Sequence, residues 1–408
     1  MKRMAVHYCG WGEDWPLGLL ADDGATLLFE YAPEALAQGL ELSPLHLKLR
    51  AAAYGDFPRH QHRLPGLIAD SLPDGWGLLL MDRLFRRQGL RHPGPLDRLA
   101  FIGDRAMGAL RFVPAMEPDA EEPDWNLLSL ARESGRALAG EAGAALRELA
   151  LAGGPPQGAR PKALVQYDLA SGHVSTRSDA PGDPWLVKFP AQDEHQEVCA
   201  IEQMYAELAR DCGLEVPATT WFELSPRLAA FGAARFDRER GMRVAVHSLA
   251  GLLQVDFRVP GAADYTAFLR ATHLLTRDAR EVEKAYARAV FNVLFHNRDD
   301  HPKNLAWRLG RDRRWRLAPA FDLTFSEGPG GWHHMDVCGE GNAVERGHML
   351  RLATGGGVPL KTAEGLIDRM LAQAATFAQR AAAFPIRRAT ARRMDAAIQA
   401  CRARLAQA

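Results

Sequence analysis

The stretch EVEKAYARAVFNVLFHN (residues 281–297) places Val282, Tyr286, Ala289, Val290, Val293 and Leu294 on one face at helical spacing. A helix of this kind is stable only with that face covered, so it predicts a buried helix whose end is held at a defined place. NRDDHPKN (297–304) follows at once: two carboxylates, a histidine, a lysine and two carboxamides within eight positions. Pro302 excludes further helix. LAWRL and RWRLAPAFDL then read as a β-hairpin whose second strand ends at Asp322, bringing a second polar group toward the first.

The rest of the chain has the composition of a globular protein. Its 408 residues suffice for two or three domains, with 47% apolar and 25% charged side chains. Fifty basic residues balance fifty acidic ones, and no polybasic arm marks a direct contact with nucleic acid or membrane. The cysteines (Cys9, Cys199, Cys212, Cys338, Cys401) are odd in number, scattered and without a C-x-x-C pair, which argues against a disulfide framework or a zinc site. No apolar run reaches the ~18 residues of a membrane span, and the start MKRMAVHYCG lacks a signal-peptide core. A cytoplasmic location is the expectation.

Short strand patterns (MAVHYCG, PLGLLA, ATLLFEYA) precede a helical stretch, PGLIADSLPDGWGLLLMDRLFRR, broken at Asp74 and Gly75. The segment PAMEPDAEEPDW then marks a boundary near residue 117. Beyond it come a Gly/Pro-rich loop (151–168), a strand PWLVKFP (184–190), a helix from Glu197 to Cys212, and strands at 227–237 and 242–248. From about 250 the pattern is mainly helical, interrupted at 304–345. Three regions are therefore expected: 1–117, 118–250 and 251–408.

Phosphoryl transfer needs a carboxylate to orient the attacking hydroxyl, and Asn and Asp side chains to hold magnesium at the phosphates. Kinases space the base and the metal-binding Asn as D-x-x-x-x-N, with another Asp after a strand pair. Asp299, Asn304 and Asp322 match. A crowded solvated turn is the plainer reading of the octapeptide, and a zinc site fits hard oxygen ligands poorly. Lys188, inside the apolar run WLVKF, needs an anion; phosphate serves, as does an edge-strand position open to water. Glu202 borders the apolar face of its helix, where it either pairs with Lys188 or is solvated. The loop from Gly153 to Lys162 carries three glycines able to present N–H groups to a polyphosphate.

These residues resemble the HipA family of serine/threonine kinase toxins from bacterial toxin–antitoxin systems. FEYAPEAL, SLPDGWG, IGDRAMGAL, GARPKA, LVKFP, EQMYAELARDCGLEVP, ARFDR, DDHPKN and LAPAFDL carry the likeness through nearly the whole chain. It implies an α+β, two-lobed protein-kinase-like fold, related to phosphoinositide kinases. The C-terminal lobe is mainly helical and an extra α+β subdomain precedes the lobes. It implies ATP and Mg2+ as cofactors. By matched motif, Asp299 is the catalytic base and Asn304 and Asp322 are the metal ligands. Nucleotide contacts fall to Gln157, Gly158, Ala159, Arg160, Pro161 and Lys162 of the phosphate loop, and to Lys188 with Glu202. Ala234, Arg235 and Phe236 form the adenine-side strand or hinge, and His301, Lys303 and Phe321 complete the set. The implied partners are a helix-turn-helix antitoxin of the HipB type, which contacts DNA on this chain's behalf, and a protein substrate such as an aminoacyl-tRNA synthetase.

One departure concerns regulation. Family members often carry a serine just upstream of the GA-x-x-K core, whose autophosphorylation ejects the loop. Here Pro155 stands near that position, and no Ser or Thr occurs from Leu151 to Lys162, so this self-inactivation is expected to be absent. The D-x-H-x-x-N pattern of Asp299–Asn304 also resembles phosphoinositide kinases, which leaves a lipid or small-molecule substrate as an alternative. A non-catalytic co-repressor scaffold is another. WHHMDVCGEG (332–341) receives no role.

Overall fold

In Lys2–Tyr8 (β1), Met4, Val6 and Tyr8 are buried and the residues between them are not, the two-residue period of a strand with one covered face. Trp15–Asp22 (β2), Leu27–Tyr31 (β3), Ala53–Tyr54 (β4) and Leu110–Val113 (β5) join it in an antiparallel sheet of order β4-β3-β2-β1-β5. The computed structural model describes residues 1–116, 124–141, 146–153 and 156–407. They cluster into two units. The first is Met1–Cys199 with Ala218–His247 and Gly251–Gln254; the second is Ala200–Pro217 with Ser248–Ala250 and Val255–Ala408. The boundary expected at residue 117, and Pro155, lie outside the described residues.

The first unit contains a second five-stranded sheet, built from Lys162–Asp168 (β6), His173–Ser175 (β7), Asp183–Lys188 (β8), Thr219–Ser225 (β9) and Leu228–Ala234 (β10). Its order is β7-β6-β8-β10-β9, antiparallel throughout, with β8 at the centre. The stretch PGLIADSLPDGWGLLLMDRLFRR forms two helices, Gly66–Ala69 and Gly75–Arg87, separated at Asp70–Asp74 as its glycine and proline content predicts.

After Arg238–Glu239 (β11), the strand expected over 242–248 is instead two short ones, Met242–Arg243 (β12) and Val246–Ser248 (β13). The ladder breaks because the Val244 N–H turns to the Asp237 carbonyl (3.0 Å) and Arg243 bonds the carbonyls of Asp104, Ala106, Gly108 and Leu110. Asp237, itself 2% exposed, accepts from the Gly108 N–H, Arg235 and Arg238. Burial raises the Asp237 pKa, but the two guanidiniums outweigh it and hold the carboxyl well below the usual range. Burial pulls Arg238 down to about 9. The motifs ARFDR and IGDRAMGAL thus fasten one another.

The second unit is mainly helical. Asp264 and Asp278 cap the helices Tyr265–Thr276 and Ala279–Leu294 by accepting backbone N–H bonds. The latter helix was expected to bury one face; every residue from Ala285 to Leu294 is buried, Arg288 and Asn292 included. Such a helix runs through the core rather than along it. Ala306–Leu309 (β14) and Trp315–Leu317 (β15) form the expected hairpin, but its second strand stops before Asp322. The Ala320 N–H leaves the ladder for the Glu215 carbonyl (2.6 Å), and Asp322 takes a left-handed turn (φ 56°). Among the described residues, no helix is long and apolar enough to cross a membrane.

Candidate active site

The long buried helix ends where backbone bonds change partner. His296 adopts φ 55°, the Asn297 N–H bonds back to the Asn292 carbonyl (2.9 Å), and residue 297 bridges to Ser326. The loop that follows separates its two carboxylates. Asp300 is 1% exposed, whereas half of the Asp299 side chain reaches solvent (51%). Only Asp299 is available to a substrate.

Asp300 is the loop's anchor. Its Oδ2 accepts from Tyr265 OH (2.6 Å) and His333 Nδ1 (2.8 Å), and its Oδ1 accepts from the His334 N–H (2.8 Å). Behind it, Asn297 Nδ2 donates to Asn292 Oδ1 (3.0 Å) and Asn292 Nδ2 to Tyr265 OH (2.9 Å). Burial alone would raise the Asp300 pKa, yet His333 and these hydrogen bonds outweigh it and hold the group ionised below the ordinary carboxylate range. Sequence reasoning passed over Asp300, Tyr265, Asn292 and His333. The paired aspartates were the only hint, and which one is buried is not written in their spacing.

Asn304 Nδ2 donates to the Asp299 carbonyl (2.8 Å), and its N–H bonds to the His301 carbonyl within the single turn Pro302–Asn304. That bond uses the amide nitrogen and not Oδ1. An amide oxygen such as Asn304 Oδ1 and a carboxylate such as that of Asp322 are hard oxygen groups, the type that suits magnesium, an ion usually held by one or two protein groups plus phosphate. Among the described residues no three His, Cys, Asp or Glu side chains gather to hold a metal unaided. Lys303 Nζ lies 4.5 Å from the Phe257 ring centre, and the His301 ring packs on the same phenylalanine at 5.2 Å. Phe321 and Asp322 are both half-buried in the turn after β15.

In the first unit, Lys188 sits on the central strand, which removes the edge-strand reading. It is 7% exposed, its Nζ 5.7 Å from the Phe231 ring centre. Lys162, 3% exposed, stands directly opposite it across β6 and β8. Paired residues share a face, so two buried lysines lie on the same side of the sheet, Lys162 with its Nζ at the Gln157 carbonyl and Lys188 with its Nζ over the Phe231 ring. Glu202 is 3% exposed in the helix Glu197–Asp211, which excludes the solvated alternative.

The loop leading into β6 is held by residues some 85 positions earlier: Gln157 Nε2 donates to the carbonyls of Asp70 (2.9 Å) and Leu72 (3.5 Å). The Gly158 N–H donates to the Asp74 carboxylate, the Trp76 N–H to the Gly158 carbonyl (3.1 Å), and Trp76 Nε1 to the Lys162 carbonyl (3.2 Å). A Cβ on Gly75 would lie 2.7 Å from Ala159 Cα, so this contact requires glycine. Lys162 Nζ donates to the Gln157 carbonyl. Pro161 accepts the Phe189 N–H (2.9 Å) and Arg160 grips Glu194 (2.7 Å). At the expected adenine side, the Ala234 N–H bonds to the Ala218 carbonyl (2.8 Å) and Phe236 is half-buried. The Arg235 guanidinium is taken up by Asp237.

One further cluster mimics a different chemistry. Ser43 Oγ lies 2.9 Å from His247 Nε2, and His247 Nδ1 lies 2.7 Å from Asp70 Oδ2, the connectivity of a hydrolase triad. His247 is wholly buried and Ser43 is 3% exposed, so no substrate reaches the hydroxyl. The chain of bonds is a fastener for Asp70, whose carbonyl holds Gln157.

The fold and the loop chemistry define the class through the comparisons. A HipA-like C-terminal domain model matches residues 155–378 and a HipA N-terminal domain model matches 11–113. The chain belongs to the HipA family. HipA of Shewanella oneidensis MR-1, solved as a toxin–antitoxin system with HipB and its operator DNA, superposes with a TM-score of 0.71 at 18% identity. That match covers 98% of this chain and 96% of the other, and the α+β kinase-like fold expected from the sequence is the one found. The proinflammatory kinase CtkA of Helicobacter pylori matches with a TM-score of 0.39 at 11% identity, over 55% of this chain and 89% of its own. No curated protein matches significantly in sequence.

Proposed function

We propose that this chain is an ATP- and magnesium-dependent serine/threonine protein kinase, the toxin of a toxin–antitoxin module. Its substrate is a cellular protein, with an aminoacyl-tRNA synthetase as first candidate, and its partner is a HipB-like antitoxin. The observation that carries the reading is the division of labour at Asp299–Asp300. A half-exposed carboxylate is presented by a loop whose neighbouring carboxylate is locked in the core, and Asn304, five residues on, is tied to the same backbone.

In this reading Asp299 accepts the proton of the attacking hydroxyl as the oxygen–phosphorus bond forms. Lys162 and Lys188 balance the negative charge of the phosphates. Asn304 and Asp322 hold magnesium, which when bound neutralises the charge that develops on the phosphoryl oxygens. The partner supplies the DNA contact that a chain of zero formal charge does not offer, in keeping with the operator complex of the Shewanella relative.

The test is transfer of label from γ-labelled ATP with Mg2+ into a host-cell lysate, comparing wild type with Asp299→Asn. A discrete labelled protein band that vanishes in the variant supports the kinase. ATP binding without transfer to protein by either form moves the assignment to a small-molecule kinase or a scaffold. Activity is also expected to persist through prolonged exposure to ATP, since no hydroxyl side chain occurs from Leu151 to Lys162.

A further inference from the structure

The segment WHHMDVCGEG, which the sequence left without a role, lies against the loop that carries Asp299. His333 is its fastener: the ring donates to Asp300 and its N–H bonds to the Gly341 carbonyl (2.8 Å). His334 is held by its own backbone at both ends, through its N–H to Asp300 Oδ1 (2.8 Å) and its carbonyl, which accepts the Gly261 N–H (2.8 Å). Its ring position is therefore imposed by the fold.

That position puts His334 Nε2 4.0 Å from Asp299 Oδ1. His301 Nε2 lies at the same distance from the same oxygen, and the two rings meet edge to face with centroids 5.7 Å apart. Both imidazoles converge on Oδ1, which leaves Oδ2 for a substrate. The two Nδ1 atoms are buried without a hydrogen-bond partner. An Nδ1 proton would have nothing to bond, whereas an Nε2 proton faces a carboxylate, so the geometry selects the Nε2–H tautomer. The charged and titratable groups facing the His334 ring are Asp299, Asp300, His301 and His333. Burial first, then His301, depress its pKa, which keeps it a neutral donor at neutral pH.

We infer that His334 is a positioning residue for the base: its Nε2–H steadies Asp299 Oδ1 so that Oδ2 meets the incoming hydroxyl. The inference rests on the kinase reading of Asp299. When the hydroxyl attacks, its proton passes to Asp299 Oδ2, the new oxygen–phosphorus bond forms, and the bond to the ADP oxygen breaks with its electron pair leaving on ADP. His334 neither gains nor loses a proton in this step. The 4.0 Å separation closes to a hydrogen bond in the reactive complex, as is common for catalytic contacts that are long in the free enzyme.

The experiment measures phosphate transfer from labelled Mg·ATP to lysate protein across pH for wild type, His334→Ala and His334→Gln. It is paired with NMR titration of the His334 C2–H in wild type and Asp299→Asn. Alanine is expected to lower kcat about 10-fold or more with little change in the KM for ATP, and glutamine, which keeps a donor near Nε2, to restore most of it. Wild-type activity falls as acid protonates His334 and makes Asp299 a weaker base; the glutamine variant holds its activity to lower pH. The imidazole pKa drops further in Asp299→Asn, because a carboxylate that favoured the charged ring is gone. Unchanged kcat and pH profile in the alanine variant would overturn the inference. So would equal losses with alanine and glutamine together with a titration indifferent to Asp299. A wild type that binds Mg·ATP and transfers nothing removes the kinase reading and this role with it; the NMR coupling, if still present, shows that the contact itself survives.

Discussion

The loop that carries Asp299 and the loop that leads into β6 are built in opposite ways. The first is fastened from below, by Asp300 and the chain Asn297–Asn292–Tyr265, all within the second unit. The second is fastened by a docked segment, Asp70–Trp76, far away in sequence, through Gln157, Gly158 and Lys162. The difference teaches where each property is controlled. Under the proposed kinase reading, damage beneath the Asp299 loop is expected to cost the fold, and damage to the docked segment to alter nucleotide affinity while leaving the chemistry alone.

Substitutions at the two loops separate their roles. Asp299→Asn is expected to lower transfer about 100- to 10,000-fold, the usual worth of a general base, with stability in urea unchanged. Its neighbour should do the reverse: Asp300→Ala removes an ionised acceptor from a buried network and costs about 3 kcal/mol or more, read as a lower urea midpoint. Equal behaviour of the two aspartates would refute the division of labour.

A smaller effect is expected at the docked segment. Gly75→Ala adds a Cβ against the Ala159 backbone at a residue with φ +34° and must displace the loop. The KM for ATP should rise about 10-fold, equivalent to ~1.4 kcal/mol, with kcat retained. A loss of kcat at unchanged KM would show that the segment serves the chemistry instead. Acid should expose the Asp300 anchor. Its pKa is depressed in the native state, so its stabilisation is complete above the ordinary carboxylate value of about 3.9 and is lost as pH falls through the native value. Asp300→Asn should flatten the stability profile in that acid range. The smallest change is expected for Lys303→Met, where loss of the cation over Phe257 costs about 0.5–1 kcal/mol.

Much of this was legible in the chain. Helical period identified the helix Ala279–Leu294, and D-x-x-x-x-N with a later Asp named candidate residues, because spacing along a helix or a loop is a local property. The hairpin was foreseen but its end was not, since the Ala320 N–H leaves the ladder for a carbonyl more than a hundred residues away. For the same reason the strand over 242–248 broke in two: Arg243 and Val244 answer to Asp104–Leu110 and Asp237.

What the sequence determined by itself was therefore the list of elements and the residue types able to carry phosphoryl chemistry, which follow from periodicity, backbone sterics and ligand hardness. Only the tertiary structure decided which aspartate of the pair is exposed, that Lys188 lies mid-sheet opposite Lys162, and that His334 stands beside Asp299. Each of those depends on burial and on partners distant along the chain, and a one-dimensional pattern holds no term for either.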